Sequence, residues 1–334
     1  MRFALVLVVI VGCGTGFPGG GEPEDTSAPP PDGRDDSTEP TGWSRTGCGP
    51  APAQERDWDH FGSSLSSIGE ANHGAADAVA RAGQPVAIEA RFTYSIVAKD
   101  LENETIELWL ADGDCQWQLH SAAITDDDGI ARFELAGPAL AAGAYAFEAV
   151  APGDLSRAGG ALWIVPESQP VVVFDIDGTL TTGDSELVED LVGDDAPNMR
   201  PSADEVVQLW SDLGFLPIYI TGRPQYLDDS TQAWLDDRRF PAGPLFVSVG
   251  LREAVLDVEA FKTGVLVDLR DRAGVDIERA YGNASTDVCA YARSGIAPSE
   301  TFIIGDHAGE ACDGFDPSIA VTGYPEHLEE LLAP

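Results

Sequence analysis

The sequence predicts an α/β fold in its second half, a parallel sheet with helices on both faces, preceded by a small antiparallel β-sandwich. Three observations carry this. From Pro170 onward, strand-like and helix-like stretches alternate, which is the rhythm of a parallel sheet covered on two sides. From Pro85 to Val165 there are only short β-branched and aromatic runs between acidic turn signals, with no helical period. The 334 residues exceed what one core fills, and 43% hydrophobic residues is ordinary for a globular chain, so two folded domains are expected.

In chain order, the first residues read as an address. Met1-Arg2 is followed by an apolar run from Phe3 to Val11 and then by Gly12-Cys13. A basic start, a short apolar core and a small residue describe a secretory signal, too short to span a membrane and stay. Ile10-Val11-Gly12-Cys13 resembles the bacterial lipoprotein lipobox. That resemblance implies lipidation of Cys13 and a lipid-anchored location in the cell envelope, periplasmic or at the cell surface; an ordinary signal peptide is the alternative. Cys48, Cys115, Cys289 and Cys312 then remain, an even number that fits two disulfides in an exported protein. Cys48–Cys115 with Cys289–Cys312 respects the domain limits, although the sequence leaves all three pairings open. The expected divisions are a signal peptide and lipobox over 1–13, a disordered acidic Gly/Pro/Ser linker over 14–55, a sandwich over 56–166 and the α/β domain over 167–334.

Within the sandwich region, Val86 to Ile96 alternates through Ile88, Ala90, Phe92 and Tyr94, the period of a half-buried strand. Further strands are expected over Thr105–Leu110, Ile130–Leu135, Ala144–Val150 and Ala161–Val165. Asp112-Gly113-Asp114 and Asp126-Asp127-Asp128-Gly129 are turn signals between them. The stretch from Asp127 to Leu135 resembles the turn and strand of bacterial immunoglobulin-like domains. The acids at Asp126–Asp128 read as a hairpin turn in preference to a calcium site. Arg56–Ala82 is expected to be a helical lead-in.

Charge narrows the partners. Nineteen Lys and Arg face fifty-seven Asp and Glu, a net charge of −38. Such a chain repels phosphate backbones, which excludes a nucleic-acid reader, and it does not dock on anionic lipid by charge. No apolar run approaches the roughly 20 residues of a membrane-spanning helix.

In the α/β region, Val171–Phe174 is a continuous apolar run, as a strand buried on both faces should be. Leu216–Ile220, Leu245–Val249, Arg279–Tyr281, Thr301–Ile304 and Ile319–Val321 are the other expected strands. Helices are expected over Ala203–Leu213, Gln225–Asp237, Phe261–Arg272 and Thr286–Arg293. Ligands of such sheets bind beyond the C-terminal strand ends, and the polar residues cluster there. Asp175-Ile176-Asp177-Gly178-Thr179-Leu180-Thr181 follows the first strand and Thr221-Gly222-Arg223-Pro224 the second. Lys262 opens the helix after the third, and Gly282-Asn283 with Asp287 follow the fourth. Two carboxylates at i and i+2 leaving a strand point the same way, and that is costly unless a cation or a shared proton neutralises them. Each feature alone has an ordinary structural reading; four in order, each at a strand end, do not.

This order, Asp-x-Asp-Gly-Thr, Thr, Lys, Asp, is similar to that of the haloacid dehalogenase (HAD) superfamily of phosphotransferases. Phe174–Thr181, Ile220–Pro224 and Tyr281-Gly282-Asn283-Ala284-Ser285-Thr286-Asp287-Val288-Cys289-Ala290-Tyr291 more narrowly resemble the catalytic domain of lipins, Mg²⁺-dependent phosphatidate phosphatases. Related domains occur in phosphatidylinositol-transfer proteins. The resemblance spans Val171 to Val321 and implies a HAD-like Rossmannoid sheet. It implies Asp175 as the nucleophile that becomes an aspartyl phosphate, and Asp177 as the acid that protonates the leaving alcohol and then activates water. Thr221 and Lys262 would hold the phosphoryl oxygens, with Gly178, Thr179, Gly222, Arg223 and Asn283 lining the phosphate site. Mg²⁺ would rest on Asp175, the Asp177 carbonyl and Asp287, with Asn283 nearby. Gly305-Asp306-His307-Ala308-Gly309-Glu310 departs from the lipin pattern, as a surface loop or a pocket wall, and no amphipathic docking segment is evident.

Thr221 lies 46 positions after Asp175, and Lys262 lies 41 after Thr221, intervals too short for a large cap domain. An uncapped site suits a headgroup presented by a membrane, and an anchor at Cys13 would hold the enzyme there. Phosphatidate is the expected substrate and a small soluble phosphomonoester the second choice. A non-catalytic phospholipid-binding module is the reading from another class. It is opposed by the presence of Asp175, since such versions lose the nucleophile.

Overall fold

The computed structural model describes residues 45, 47–94, 99–137, 140–183, 197–248 and 257–333. The signal sequence with Cys13 and most of the expected linker lie outside them, as do 184–196 and 249–256, which fall inside the two intervals that argue against a cap.

The first half is a sandwich, as its strand spacing implies. Its strands are β1 (Gly74–Ala75), β2 (Ala78–Arg81), β3 (Val86–Arg91), β4 (Thr93–Tyr94), β5 (Lys99–Asp100), β6 (Thr105–Ala111), β7 (Trp117–Ile124), β8 (Ile130–Leu135), β9 (Gly143–Ala151) and β10 (Ser156–Val165). A sheet ordered β1-β3-β8 faces one ordered β2-β10-β9-β6-β7, and β4 pairs with β5. Ile88, Phe92, Phe133, Leu108, Phe147 and Leu162 fill the space between the sheets. The long strand expected over Val86–Ile96 breaks at Phe92, whose N–H bonds the Gly129 carbonyl instead of a ladder partner. The acidic segment is a turn but not a hairpin, because it joins β7 to β8 across the two sheets; Asp126 Oδ1 accepts from the N–H groups of Asp128 and Ile130, each at 3.0 Å.

Three expectations need correction. Arg56–Ala82 holds only a four-residue helix, α1 (Ser63–Ser66), and its alanine-rich end forms β1 and β2 because those alanines are buried against the sheets. The sandwich is not wholly antiparallel, since β2 pairs in parallel with β10, Leu162 opposite Ala78. The linker ends before residue 56: Ala51 is buried, Trp117 Nε1 bonds the Gly49 carbonyl at 2.7 Å, and Cys48 is disulfide-bonded to Cys115.

The second half is a six-stranded parallel sheet, ordered β13-β12-β11-β14-β15-β16. Its strands are β11 (Pro170–Asp175), β12 (Leu216–Pro224), β13 (Leu245–Ser248), β14 (Asp276–Gly282), β15 (Thr301–Ile304) and β16 (Ile319–Val321). One face packs against α2 (Ala203–Asp212), α3 (Asp228–Asp237) and an unexpected last helix, α6 (Tyr324–Leu332), through Phe174, Trp210, Trp234, Tyr281 and Tyr324. The other packs against α4 (Val258–Asp271) and α5 (Ser285–Arg293) through Val171, Val173, Leu266, Leu269 and Val288.

That second core does not stop at the domain boundary. Val79 of β2 and Trp163 and Val165 of β10 are buried in it beside Val171 and Leu216. Asp77, buried at the seam, accepts from Ala161 N at 2.8 Å, Trp163 Nε1 at 3.0 Å and Leu245 N at 2.9 Å, and from Arg45. A carboxylate with four donors satisfies the desolvation that burial demands. The two halves are thus one packed body and not beads on a linker.

Candidate active site

Strand register builds the site. In the parallel ladder Asp175 lies opposite Ile220 and Phe174 opposite Tyr281, so the residues leaving β11, β12 and β14 emerge side by side. Gly178 takes a positive φ of 76°, a left-handed turn that brings the chain back under the two aspartates. Its N–H bonds Thr181 Oγ1 at 2.9 Å and its carbonyl accepts from Arg200 Nε at 2.8 Å. The β12–β13 pairing skips between Ile220 and Pro224, a bulge that re-aims Thr221, Gly222 and Arg223.

The functional side chains form two linked groups. In the first, Asp175 Oδ1 accepts from Lys262 Nζ at 2.6 Å and Oδ2 from Thr179 Oγ1 at 2.6 Å. Thr179 is shared with Asn283 Oδ1 at 3.0 Å. Lys262 Nζ also donates to Asp287 Oδ1 at 2.5 Å, while Asp287 Oδ2 accepts from the N–H groups of Asn283 and Ala284, both at 3.0 Å. Asp287 thereby closes the β14–α5 loop and sits in the first turn of α5, where the dipole favours an anion. In the second group Asp177 is gripped through Oδ1 by Arg223 Nη2 at 2.7 Å and through Oδ2 by Thr221 Oγ1 at 2.7 Å. Arg223 is braced by Thr231 Oγ1 at 3.2 Å. Lys262 lies in the second turn of α4, not at its start, because the helix begins at Val258.

Burial pushes the Asp175 carboxyl up to about 7, against the pull of Lys262 and with the repulsion of Asp287 and Asp177 added. For Lys262, burial works against the ammonium but is outweighed by Asp175 and Asp287, which hold it above its usual range. Three carboxylates face two cations here, before any phosphate arrives. Oxygen donors with a deficit of positive charge fit a hard divalent cation. Among the described residues, however, no three His, Cys, Asp or Glu side chains are set as a ready-made metal cluster. As arranged, Lys262 and Thr179 occupy both oxygens of Asp175, and Lys262 and the loop N–H groups occupy both of Asp287, so a cation would take its place among these acids only in competition with Lys262.

All the site residues anticipated from strand ends lie within these two groups or, for Gly178 and Gly222, in the turns that shape them. Arg223 and Thr221, expected on phosphate, are placed on Asp177. Asp306 is exposed and His307 bonds Glu310 at 2.8 Å, so neither is among the hydrogen-bonded partners of the carboxylates. The Cys289–Cys312 disulfide ties the Asp287 helix to the segment after β15. Sequence reading missed Arg200 and Thr231, which carry no motif. It also missed the seam behind the site: Gln225 Nε2 donates to the Gly74 carbonyl, and Asp228 Oδ2 accepts from Ala75 N at 3.2 Å. A Cβ at Gly74 would overlap the Gln225 carbonyl, so only glycine lets β1 come this close to the Arg223 turn.

Fold and site together define a two-part protein, a β-sandwich built onto a Rossmann-like α/β domain with a carboxylate-rich crevice. Comparison with known proteins gives both parts a description. Residues 71–164 match the β-sandwich domain of PITM 1-3, and residues 172–305 match the LNS2 domain of PITM 1-3, so a β-sandwich domain precedes an LNS2 domain in this chain. The chain is 33% identical over 239 residues to membrane-associated phosphatidylinositol transfer protein 3 of Homo sapiens, covering 70% of this chain and 24% of that one. It is 30% identical over 267 residues to protein retinal degeneration B of Drosophila melanogaster, covering 79% and 20%. Membrane-associated phosphatidylinositol transfer protein 1 of Rattus norvegicus is 31% identical over 266 residues, covering 78% and 20%. The chain spans about a quarter or less of the length of these relatives. Among solved structures, the cobalt-bound deoxy-D-mannose-octulosonate 8-phosphate phosphatase of Haemophilus influenzae aligns over 50% of this chain and 88% of that one, at 20% identity. Its TM-score of 0.34 is too low to bear on function.

Proposed function

We propose that the α/β domain is a phosphomonoesterase that works through an aspartyl phosphate, with phosphatidate or a similar membrane-presented phosphomonoester as substrate. The observation that carries this reading is Asp175, a buried carboxylate at the C-terminal end of β11 held by one ammonium and one hydroxyl. The names of the relatives support a phospholipid. An Asp175 oxygen attacks phosphorus, forming the Asp175–phosphorus bond as the ester oxygen leaves. Asp177 gives that oxygen a proton, then takes one from the water that attacks the phosphoaspartate and releases phosphate. Lys262 steadies the phosphoryl oxygens during transfer, and Thr221 joins it once its hydroxyl is released from Asp177. Mg²⁺, held by Asp175 and the Asp177 carbonyl with Asn283 and Asp287 beside it, would supply charge neutralisation. Export and acylation at Cys13 belong to the same proposal, and intact mass of the mature protein tests them.

One observation favours a second reading, phosphatidate binding without turnover: Asp177 must leave Arg223 before it can carry a proton. Phosphate release with and without Mg²⁺, from an aryl phosphate and from phosphatidate, separates the two. Asp175→Asn should abolish labelled-phosphate transfer to the protein. Asp177→Asn should slow turnover by about 10²–10⁴-fold. Full turnover by Asp175→Asn refutes the covalent route, and phosphatidate binding by a parent that releases no phosphate establishes the second reading.

A further inference from the structure

A surface helix normally buries its apolar side; α1 does the reverse. Ser63 is 6% exposed, whereas Phe61, Leu65 and Ile68 are 85%, 61% and 80% exposed. The three are spaced i, i+4, i+7 along the short helix and the turns that flank it. Phe61 and Ile68 are the two most exposed large apolar side chains among the described residues. The segment is fixed at both ends: the N–H groups of Asp59 and His60 bond the Glu104 carboxylate at 2.9 and 2.8 Å, and Asn72 N bonds the Thr93 carbonyl at 2.9 Å. Between those ties an apolar ridge stands out into solvent.

We propose that this ridge is a wedge that inserts into a phospholipid bilayer and brings the strand-end carboxylates close to the membrane surface. The inference rests on the reading of the substrate as membrane-presented. Two observations choose a bilayer over a protein partner. Phe61 to Gly69 has no charged residue in a chain of net charge −38, and its apolar side chains are separated only by serine and glycine, which suits insertion among acyl chains. Second, only five residues lie between Ile68 and Gly74, at most about 20 Å of chain, and Gly74 abuts Gln225, two positions beyond Arg223 of the site. Tyr226, 45% exposed on that same turn, adds an aromatic side chain of the kind that settles at headgroup depth. With no Lys or Arg between Arg56 and Arg81, and with Asp57, Asp59 and Glu70 exposed beside the ridge, binding should need no anionic lipid and should not weaken at high salt.

The test uses the full chain carrying Cys13→Ala, so that no acyl chain contributes. Flotation with phosphatidylcholine vesicles, with and without phosphatidate and at low and high salt, should show binding that does not require phosphatidate and is not weakened by high salt. Phe61→Ser/Leu65→Ser/Ile68→Ser should reduce the vesicle-bound ratio at least tenfold, and Ile68→Ser alone by a smaller factor. Hydrolysis of soluble p-nitrophenyl phosphate should be unchanged by either, which also reports an intact fold. If the parent hydrolyses neither substrate while vesicle binding still depends on the ridge, the phosphatase reading fails and the wedge stands. The wedge is overturned if the triple variant floats like the parent, if the parent does not float, or if the substitutions alter only self-association in sedimentation velocity.

Discussion

Replacing Lys262 by methionine exposes how the site is held together. The ammonium is 4% exposed and lies 2.6 Å from Asp175 and 2.5 Å from Asp287, so the two carboxylate oxygens are at most about 5 Å apart. Without the cation they repel by about 3 kcal/mol at an effective dielectric of about 20, in line with the roughly 3–5 kcal/mol lost when one partner of a buried pair is removed. That is a large part of the roughly 5–15 kcal/mol that keeps a domain folded. The loss has a pH signature. The Asp175 carboxyl already sits at about 7 in the folded parent, above its unfolded value of 3.8, and removing Lys262 raises it further. Parent and variant therefore carry the same proton on Asp175 below about 7, and only the variant goes on losing stability as pH climbs past it. Urea unfolding followed by tryptophan fluorescence, with a chelator and with both disulfides intact, measures this. A loss of about 3 kcal/mol moves the midpoint down by about 1 M at an m-value near 3 kcal/mol per M. The shift should be greater at pH 9 than at pH 6, and Asp287→Asn in the variant background should recover part of it. A midpoint shift under about 0.3 M at pH 9, or one independent of pH, would refute a charge-bridging role for Lys262.

Three further outcomes follow from other parts of the molecule. Gly74→Ala should cost about 1–3 kcal/mol by driving a methyl group into the Gln225 carbonyl, and it should lower turnover by displacing the Arg223 turn; an unchanged midpoint and an unchanged kcat would contradict this. Removing the Cys289–Cys312 bridge, which closes a sequence separation of 23, should cost about 3 kcal/mol, seen as a lower melting temperature for the Cys289→Ser/Cys312→Ser pair. His73 is half-buried, and the loss of solvent pushes its imidazole down to about 4; it bonds Ser156 Oγ at 2.8 Å. Its folded value lies below the unfolded 6.5, so it contributes stability above pH 6.5 that is lost as pH falls toward 4. His73→Gln should flatten that part of the pH–stability curve relative to the parent, and parallel curves would count against it.

Much of the site was legible because its parts are local. Each motif directly follows a buried strand, and in a parallel sheet adjacent strand ends are neighbours in space, so the order Asp175-x-Asp177, Thr221, Lys262, Asp287 implies one crevice. Disulfide pairing was nearly legible for a similar reason: Cys289 and Cys312 flank one strand, β15. The illegible parts depend on contacts distant in sequence. β7 escaped notice because it is an edge strand whose residues are mostly exposed, so no period-two burial marks it. The stretch 56–82 looks helical by composition, but its alanines are small enough to be covered on both sides by the sandwich, and tertiary burial overrides propensity.

Residue types and their order therefore determined that this chain has a sandwich, a parallel α/β sheet and a row of carboxylates and cations at the strand ends. Which cation meets which carboxylate was decided by tertiary packing. Arg223 reaches Asp177 only through the bulge in β12 and the brace of Thr231, and Lys262 reaches two acids at once only because α4 and α5 pack on the same face. The fusion of the two halves is likewise a property of three dimensions. Val79 and Trp163 are ordinary strand residues in sequence, and nothing local distinguishes a side chain that faces its own sheet from one that completes the core of its neighbour.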